Sequence, residues 1–211
     1  MYKRLGVDIS SHNGNVDFKK LKENGIDFVI LRIGYGTNKD KTFDSNYTNA
    51  IKHGLHVGAY LYSYACNVKQ AKEEGDFVLD CIKNKKFDYP IFLDMEDVDG
   101  YKAKRKVTVK TIQDITKKFC ETVEKQNKYV GVYASESWFN HQLKPFNNDR
   151  YDRWLANWGK NNGKICLDKS KTHKLHQFTD RYVAYDSKKF DGNVSYYDYP
   201  SIIKKKHKNG Y

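Results

Sequence analysis

Two carboxylates two residues apart, Asp94 and Glu96, close the stretch 90–97, PIFLDMED. The apolar run before them, Ile91-Phe92-Leu93, reads as a strand buried on both faces, as in a parallel sheet. Side chains alternate along a strand, so Asp94 and Glu96 share a face with Cα atoms ~6.6 Å apart at ~3.3 Å per residue, and Asp97 points away. Two acids together in a poorly solvated place raise one another's pKa. The one that keeps its proton is a general acid near neutral pH. The competing reading is a solvated strand-to-loop junction, where acids are common.

A buried acid pair needs a scaffold, and the chain supplies one. Strands are expected over 5–10, 28–34, 56–65, 91–96 and 129–135. Helices are expected over 17–24, 43–53, 68–85 and 108–126, with Asp17 and Thr108 as N-caps and Gly25 and Gly54 as stops. Three short strands then follow with little helix between them, at 154–158, 175–178 and 190–194. Strands alternating with helices imply a parallel sheet with right-handed crossovers, and eight strands invite closure into a barrel. The fold class is therefore α/β, a TIM-like β/α barrel with eight strands and a reduced number of helices. Function in such barrels gathers at the C-terminal ends of the strands. Asp8, Arg32, Tyr62, Tyr64, Asp94, Glu96, Tyr133, Trp154, Gln177 and Asp191 stand near those ends. The polar, basic segment 97–106 is a candidate active-site loop.

The chain has 211 residues, a formal net charge of +12 and 17 Tyr. Tyrosine in excess suits a site that stacks on sugar rings and bonds their hydroxyls, and it also suits the packing of barrel ends. The positive surface favours an anionic partner: nucleic acid, an anionic membrane or an acidic wall polymer. Nucleic acid is set aside, because no helix-turn-helix, zinc-finger or RNP signature is present and lysine outnumbers arginine. The four cysteines, Cys66, Cys81, Cys120 and Cys166, form no C-x-x-C pair and read as buried free thiols. The histidines show no metal spacing, and neither a metal nor a cofactor is expected. No stretch approaches the ~18 apolar residues of a membrane span. Met1 to Gly6 lacks the apolar core of a signal peptide. Synthesis in a cytoplasm is the expectation, with any outside substrate reached by another route. Residues 1–200 are expected to form the catalytic domain. Residues 201–211 are expected to be a basic linker or fraying end, leading toward a wall-binding domain outside this chain.

Four segments in order carry a resemblance: Gly6-Val7-Asp8-Ile9-Ser10, Gly58-Ala59-Tyr60-Leu61-Tyr62, Leu93-Asp94-Met95-Glu96 and Asp191-Gly192-Asn193-Val194. Together they resemble glycoside hydrolase family 25, the N-acetylmuramidase lysozymes common as bacteriophage endolysins, from about Leu5 to Tyr199. The composition resembles proteins of low-GC Gram-positive hosts and their phages. The resemblance implies a modified β/α barrel, cleavage of the β-1,4 bond between N-acetylmuramic acid and N-acetylglucosamine in bacterial peptidoglycan, and acidic site residues at Asp8, Asp94, Glu96 and Asp191. Glu96 is then the general acid/base, and Asp94 orients the substrate's 2-acetamido group as internal nucleophile. A direct carboxylate nucleophile, Asp94 or Asp191, at about 5 Å from Glu96, or an inverting base at roughly 6.5–9.5 Å, stays open. Asp8 and Asp191 are given positioning and pKa tuning, against an Arg32 partner for Asp8 and a tight turn for Asp191. Tyr62, Tyr64 and Trp154 are expected to form a sugar-stacking wall, with Tyr133 and Gln177 beside it. Arg32 is expected in an internal salt bridge or on a substrate carboxylate. A non-catalytic wall-binding module on the same fold is the rival from another class; it would be marked by loss of Asp94 or Glu96.

Overall fold

The structure, a computed structural model, describes residues 2–147 and 150–211; Met1, Asn148 and Asp149 lie outside the described residues. Its strands are β1 (Arg4–Ile9), β2 (Phe28–Tyr35), β3 (Asn38–Lys39), β4 (His56–Tyr62), β5 (Ile91–Asp94), β6 (Val130–Ser135), β7 (Asp152–Ala156), β8 (Leu175–Tyr185) and β9 (Lys188–Ser195). They form one sheet in the order β1-β9-β8-β7-β6-β5-β4-β2-β3, and a further β1–β2 pairing closes eight of them into a barrel. The two-residue β3 hangs off β2 as an antiparallel edge. β1, β2, β4, β5, β6, β7 and β8 are parallel to their neighbours in that set, whereas β9 is antiparallel to both β8 and β1.

The helices are α1 (Phe18–Glu23), α2 (Phe43–Lys52), α3 (Val68–Cys81), α4 (Tyr101–Lys104), α5 (Val109–Glu124), α6 (Glu136–Asn140) and α7 (Tyr199–Lys205). The expected caps hold. The Asp17 side chain accepts from the Lys20 N–H, and the Thr108 side chain from that of Thr111. Helices thin out in the last third: no helix lies between β7 and β8, and a hairpin joins β8 to β9.

The period-2 alternation of the strands sorts the core into two layers. Val29, Leu31, Leu93, Val132 and Leu155 pack with the helix residues Ala71, Val78, Ile115 and Phe119 outside the sheet. Their neighbours Phe28, Ile30, Phe92, Tyr133, Trp154 and Leu175 cluster separately, inside the barrel, with Tyr89, Tyr199 and Ile203. Aromatic rings fill that interior because opposing strands leave room for them. A Cβ on Gly6 would stand 2.4 Å from the Phe28 ring, and one on Gly131 would stand 2.4 Å from the Phe92 ring. The same alternation carries Asp8 inward two residues above Gly6, Arg32 above Ile30, Asp94 above Phe92, and Gln177 above Leu175.

Several expectations are corrected here. β5 ends at Asp94, and Glu96 stands in the following loop, so the two acids do not share a strand face. β4 ends at Tyr62 and α3 at Cys81, both short of their expected ends. The loop 97–106 contains α4, and the Asp97 carboxylate takes the N–H groups of Lys102 (2.7 Å) and Ala103 (2.8 Å). Residues 201–211 do not fray. α7 seats Ile203 under the barrel, and the fully buried Asn209 donates to the Tyr89 carbonyl (3.0 Å) and accepts from the Tyr129 N–H (2.8 Å). The tail looked like a linker because lysines dominate it; its anchoring rests on Ile203, Asn209 and Tyr211. The cysteines are free, but only Cys120 is buried and Cys166 is exposed. No helix among the described residues is long and apolar enough to cross a membrane.

Candidate active site

Four acids meet at the rim where the parallel strands end. Asp8 of β1 lies in register with Asp191 of β9. Because β9 runs antiparallel, Asp191 reaches this rim from the middle of its strand and not from a C-terminal end. The Asp8 Oδ2 accepts the amide N–H groups of Asn193 (2.8 Å) and Gln177 (2.9 Å). Those amides are themselves fixed: Asn193 Oδ1 accepts from the Trp154 indole N–H at 2.7 Å, and Gln177 Oε1 accepts from the Tyr133 hydroxyl at 2.9 Å and the Trp158 indole at 3.0 Å. Burial pushes the Asp8 carboxyl well above the usual carboxylate range, and the Asp191 charge adds to this. The shift favours the protonated form of Asp8, and burial raises the pKa of its neighbour Asp191 to about 6. Arg32 is not the partner of Asp8. Its guanidinium is bound to Asp40 (2.9 Å from Nε, 2.8 Å from Nη2) and to Ser11 Oγ (3.0 Å), an internal pair at the edge of the site.

Asp94 stands in register with Tyr62 on one side and Tyr133 on the other. It is 6% exposed, and its Oδ1 has no hydrogen-bond donor among the described residues. A bare buried carboxylate is costly as an anion. Burial first and the Glu96 charge second drive its pKa well up, against the pull of Lys102. Burial also raises Glu96, opposed by the Ser135 backbone N–H and by Lys102. Lys102 carries no periodic signal in the sequence, yet it is almost wholly buried. Its ammonium donates to the Ser63 carbonyl and to the Glu96 carbonyl (2.9 Å), and lies 5.7 Å from the centre of the Tyr62 ring. It thereby ties the loop bearing Glu96 to the end of β4, with Asp97 capping the helix that presents it.

The aromatic residues divide. Trp154 is 1% exposed, packed 4.5 Å from Tyr133 and 5.2 Å from Phe92 between ring centres. It is the floor under the acids and offers no stacking face, which corrects its place in the sugar wall. Tyr133 and Gln177 are likewise buried; Gln177 holds Asp8, and Tyr133 holds Gln177. Tyr62 and Tyr64 lie edge to face at 5.2 Å, and Tyr64 continues to Tyr101 at 4.8 Å. Tyr64 donates to Asp99 at 2.7 Å. With Tyr35 these last rings line a groove of about 490 Å³. Asn193, Trp158, Lys102, Tyr35 and Tyr101 were missed as site residues. Asn193 had a signal, two positions from Asp191 and so on the same strand face; Tyr35 is the last residue of β2, Lys102 and Tyr101 belong to the short α4, and Trp158 follows β7.

Comparison with known proteins gives the same architecture. The profile of glycosyl hydrolases family 25 matches residues 7–187. The autolytic lysozyme of Clostridium acetobutylicum is 26% identical over 155 residues, covering 73% of this chain and 45% of the relative. The catalytic domain of endolysin ply40 from bacteriophage P40 of Listeria monocytogenes superposes with a TM-score of 0.79 at 25% identity, over 96% of this chain and 98% of that one. The modular autolysin LytC of Streptococcus pneumoniae, solved with a synthetic peptidoglycan ligand, superposes with a TM-score of 0.76 at 26% identity, over 92% of this chain and 46% of that one. The chain spans about half the length of the curated relatives it matches. A profile match running from β1 to the turn between β8 and β9, on a barrel shared with these enzymes, makes this chain a member of glycosyl hydrolases family 25.

Proposed function

We propose that this chain hydrolyses peptidoglycan at the β-1,4 bond between N-acetylmuramic acid and N-acetylglucosamine, with Glu96 as general acid/base and the substrate's own 2-acetamido group as nucleophile. One observation carries the reading: a buried carboxylate whose Oδ1 has no donor among the described residues, Asp94, lies within the field of a second acid, Glu96. In the free protein the bare Oδ1 favours the protonated form of Asp94. An amide N–H of the bound sugar, placed on that oxygen, stabilises the Asp94 anion and leaves the proton with Glu96. Glu96 then protonates the glycosidic oxygen as the C1–O bond breaks. The acetamido carbonyl oxygen bonds to C1, and Asp94 balances the charge of the oxazolinium. In the second half Glu96, now a carboxylate, takes a proton from water. The water oxygen opens the ring at C1 with net retention. Asp8 and Asp191 are positioning residues that keep the floor of the site fixed and nearly neutral. The Tyr62–Tyr64–Tyr101 series supplies ring faces for sugars. The names of the relatives, a lysozyme and an autolysin solved with a peptidoglycan ligand, support the substrate class. The positive surface adds attraction to anionic polymers of the wall.

The mechanistic test follows product configuration by NMR, together with mass spectrometry after incubation with a slow fluorosugar. Assisted retention predicts the β-anomer first and no protein adduct. A glycosyl ester on Asp94 or Asp191 would overturn the assisted route, and a first-formed α-anomer would make the enzyme inverting.

A further inference from the structure

At the far end of the barrel from the acids a second cleft opens, of about 250 Å³. It lies where the parallel strands begin: Lys128 and Tyr129 lead into β6, Asp152 starts β7, Lys174 leads into β8, and Lys206 and Lys208 follow α7. Its carboxylates are already matched. Asp152 binds Lys174 (2.5 Å) and the Tyr129 hydroxyl (3.0 Å), and Glu124 binds Arg150 (3.0 Å). Three ammonium groups are left over. Lys128, Lys206 and Lys208 make no ion pair with any described residue. Lys206 lies 5.6 Å from the centre of the Tyr129 ring, which holds its charge toward the cleft without neutralising it. Lys128 is half-buried, and burial alone depresses its pKa with no anion to offset the cost. A partly desolvated ammonium beside two more, over tyrosine rings, is completed by an anion.

We propose that this cleft is a binding site for a phosphodiester-linked polyol of the cell wall, with Lys128, Lys206 and Lys208 each meeting a phosphate. The choice of a wall polymer over another polyanion rests on the hydrolase reading above; the presence of an anion site does not. Lysine ammoniums suit single phosphates spaced along a flexible chain, because they act as point charges without a fixed fork. The cleft and the acid cluster occupy opposite ends of the barrel. A polymer held at one end leaves the other free for glycan, so the two bind together without competition.

The probe is soluble poly(glycerol phosphate), titrated into the full chain and into two triple variants of equal charge change. One is K128Q/K206Q/K208Q. The other, K22Q/K41Q/K52Q, removes three exposed lysines elsewhere that likewise lack ion pairs. The cleft triple should bind roughly tenfold more weakly, as three exposed charge contacts each worth a few-fold imply, and inorganic phosphate should compete. The control triple should bind within about twofold of wild type, since charges beyond a Debye length are screened. Equal losses in the two triples would show diffuse attraction and overturn the site, as would absence of binding to wild type. Tighter binding of single-stranded DNA at the same phosphate concentration would overturn the choice of polymer. Cleavage of a soluble, polymer-free glycan should be unchanged in both triples. Its absence in wild type would defeat the hydrolase reading while leaving the binding result standing.

Discussion

Asp8 Oδ2 receives two amide N–H groups while Asp94 Oδ1 receives none among the described residues, and this asymmetry sets what each acid can do. Asn193→Ala removes one donor to Asp8 and leaves the Trp154 indole N–H unmatched in the floor. Leaving a buried polar group unpaired costs about 1–3 kcal/mol, and chemical denaturation should report a loss in that range. Asp191 gives a pH signature. Its folded pKa, about 6, lies above the ordinary 3.8. The folded state therefore binds more protons than the unfolded chain between those values, and stability falls as pH rises through that window. Asp191→Asn should flatten the fall between pH 4 and 6; an unchanged slope would remove Asp191 from the coupled pair. Lys102 acts in the opposite sense, since its charge lowers both Asp94 and Glu96. Lys102→Met should raise the Glu96 pKa, so the acid stays protonated to higher pH. The alkaline limb of kcat/KM should shift upward, and an unshifted limb would reduce Lys102 to a purely structural tie. Asp94 and Asp8 were legible because acids at the ends of apolar runs stand out. Lys102 was not, since one lysine in a lysine-rich loop looks like every other.

At the scale of elements, the barrel was legible because seven parallel strands buried on both faces write themselves as short apolar runs. Two things were not. The direction of β9 is set by the hairpin from β8, and composition carries no trace of it. The break in β5 after Asp94 has no marker either, since Met95 continues the apolar pattern and is fully buried; only the backbone shows that Glu96 turns onto the loop. That loop is a working part of the site. Asp97 takes two N–H groups at the start of α4, and Lys102 of the same helix reaches back to the Glu96 carbonyl. Asp97→Ala should cost about 1 kcal/mol of stability, as loss of a helix-capping side chain does. It should lower kcat more than a cap alone predicts, because Glu96 loses its fixed approach. A stability loss with unchanged kcat would separate the helix from the chemistry.

The whole molecule is a barrel closed at one end by its own tail, with the four acids at the other. The closing contacts are specific: Asn209 bonds to Tyr89 and Tyr129, and the Tyr211 hydroxyl donates to Asp88 at 2.8 Å. Asn209→Ala strands two buried backbone groups and should destabilise the fold by about 2–4 kcal/mol. Activity measured well below the melting transition should hold, because the acids lie at the other end. The chemistry proposed for those acids is measured most directly as the reducing end released from purified Gram-positive cell walls by wild type and by Glu96→Gln. Wild type should clear the walls and liberate new reducing-end N-acetylmuramic acid, and Glu96→Gln, folded to the same stability, should release none. Reducing-end N-acetylglucosamine, or undiminished release by the variant, would contradict that chemistry.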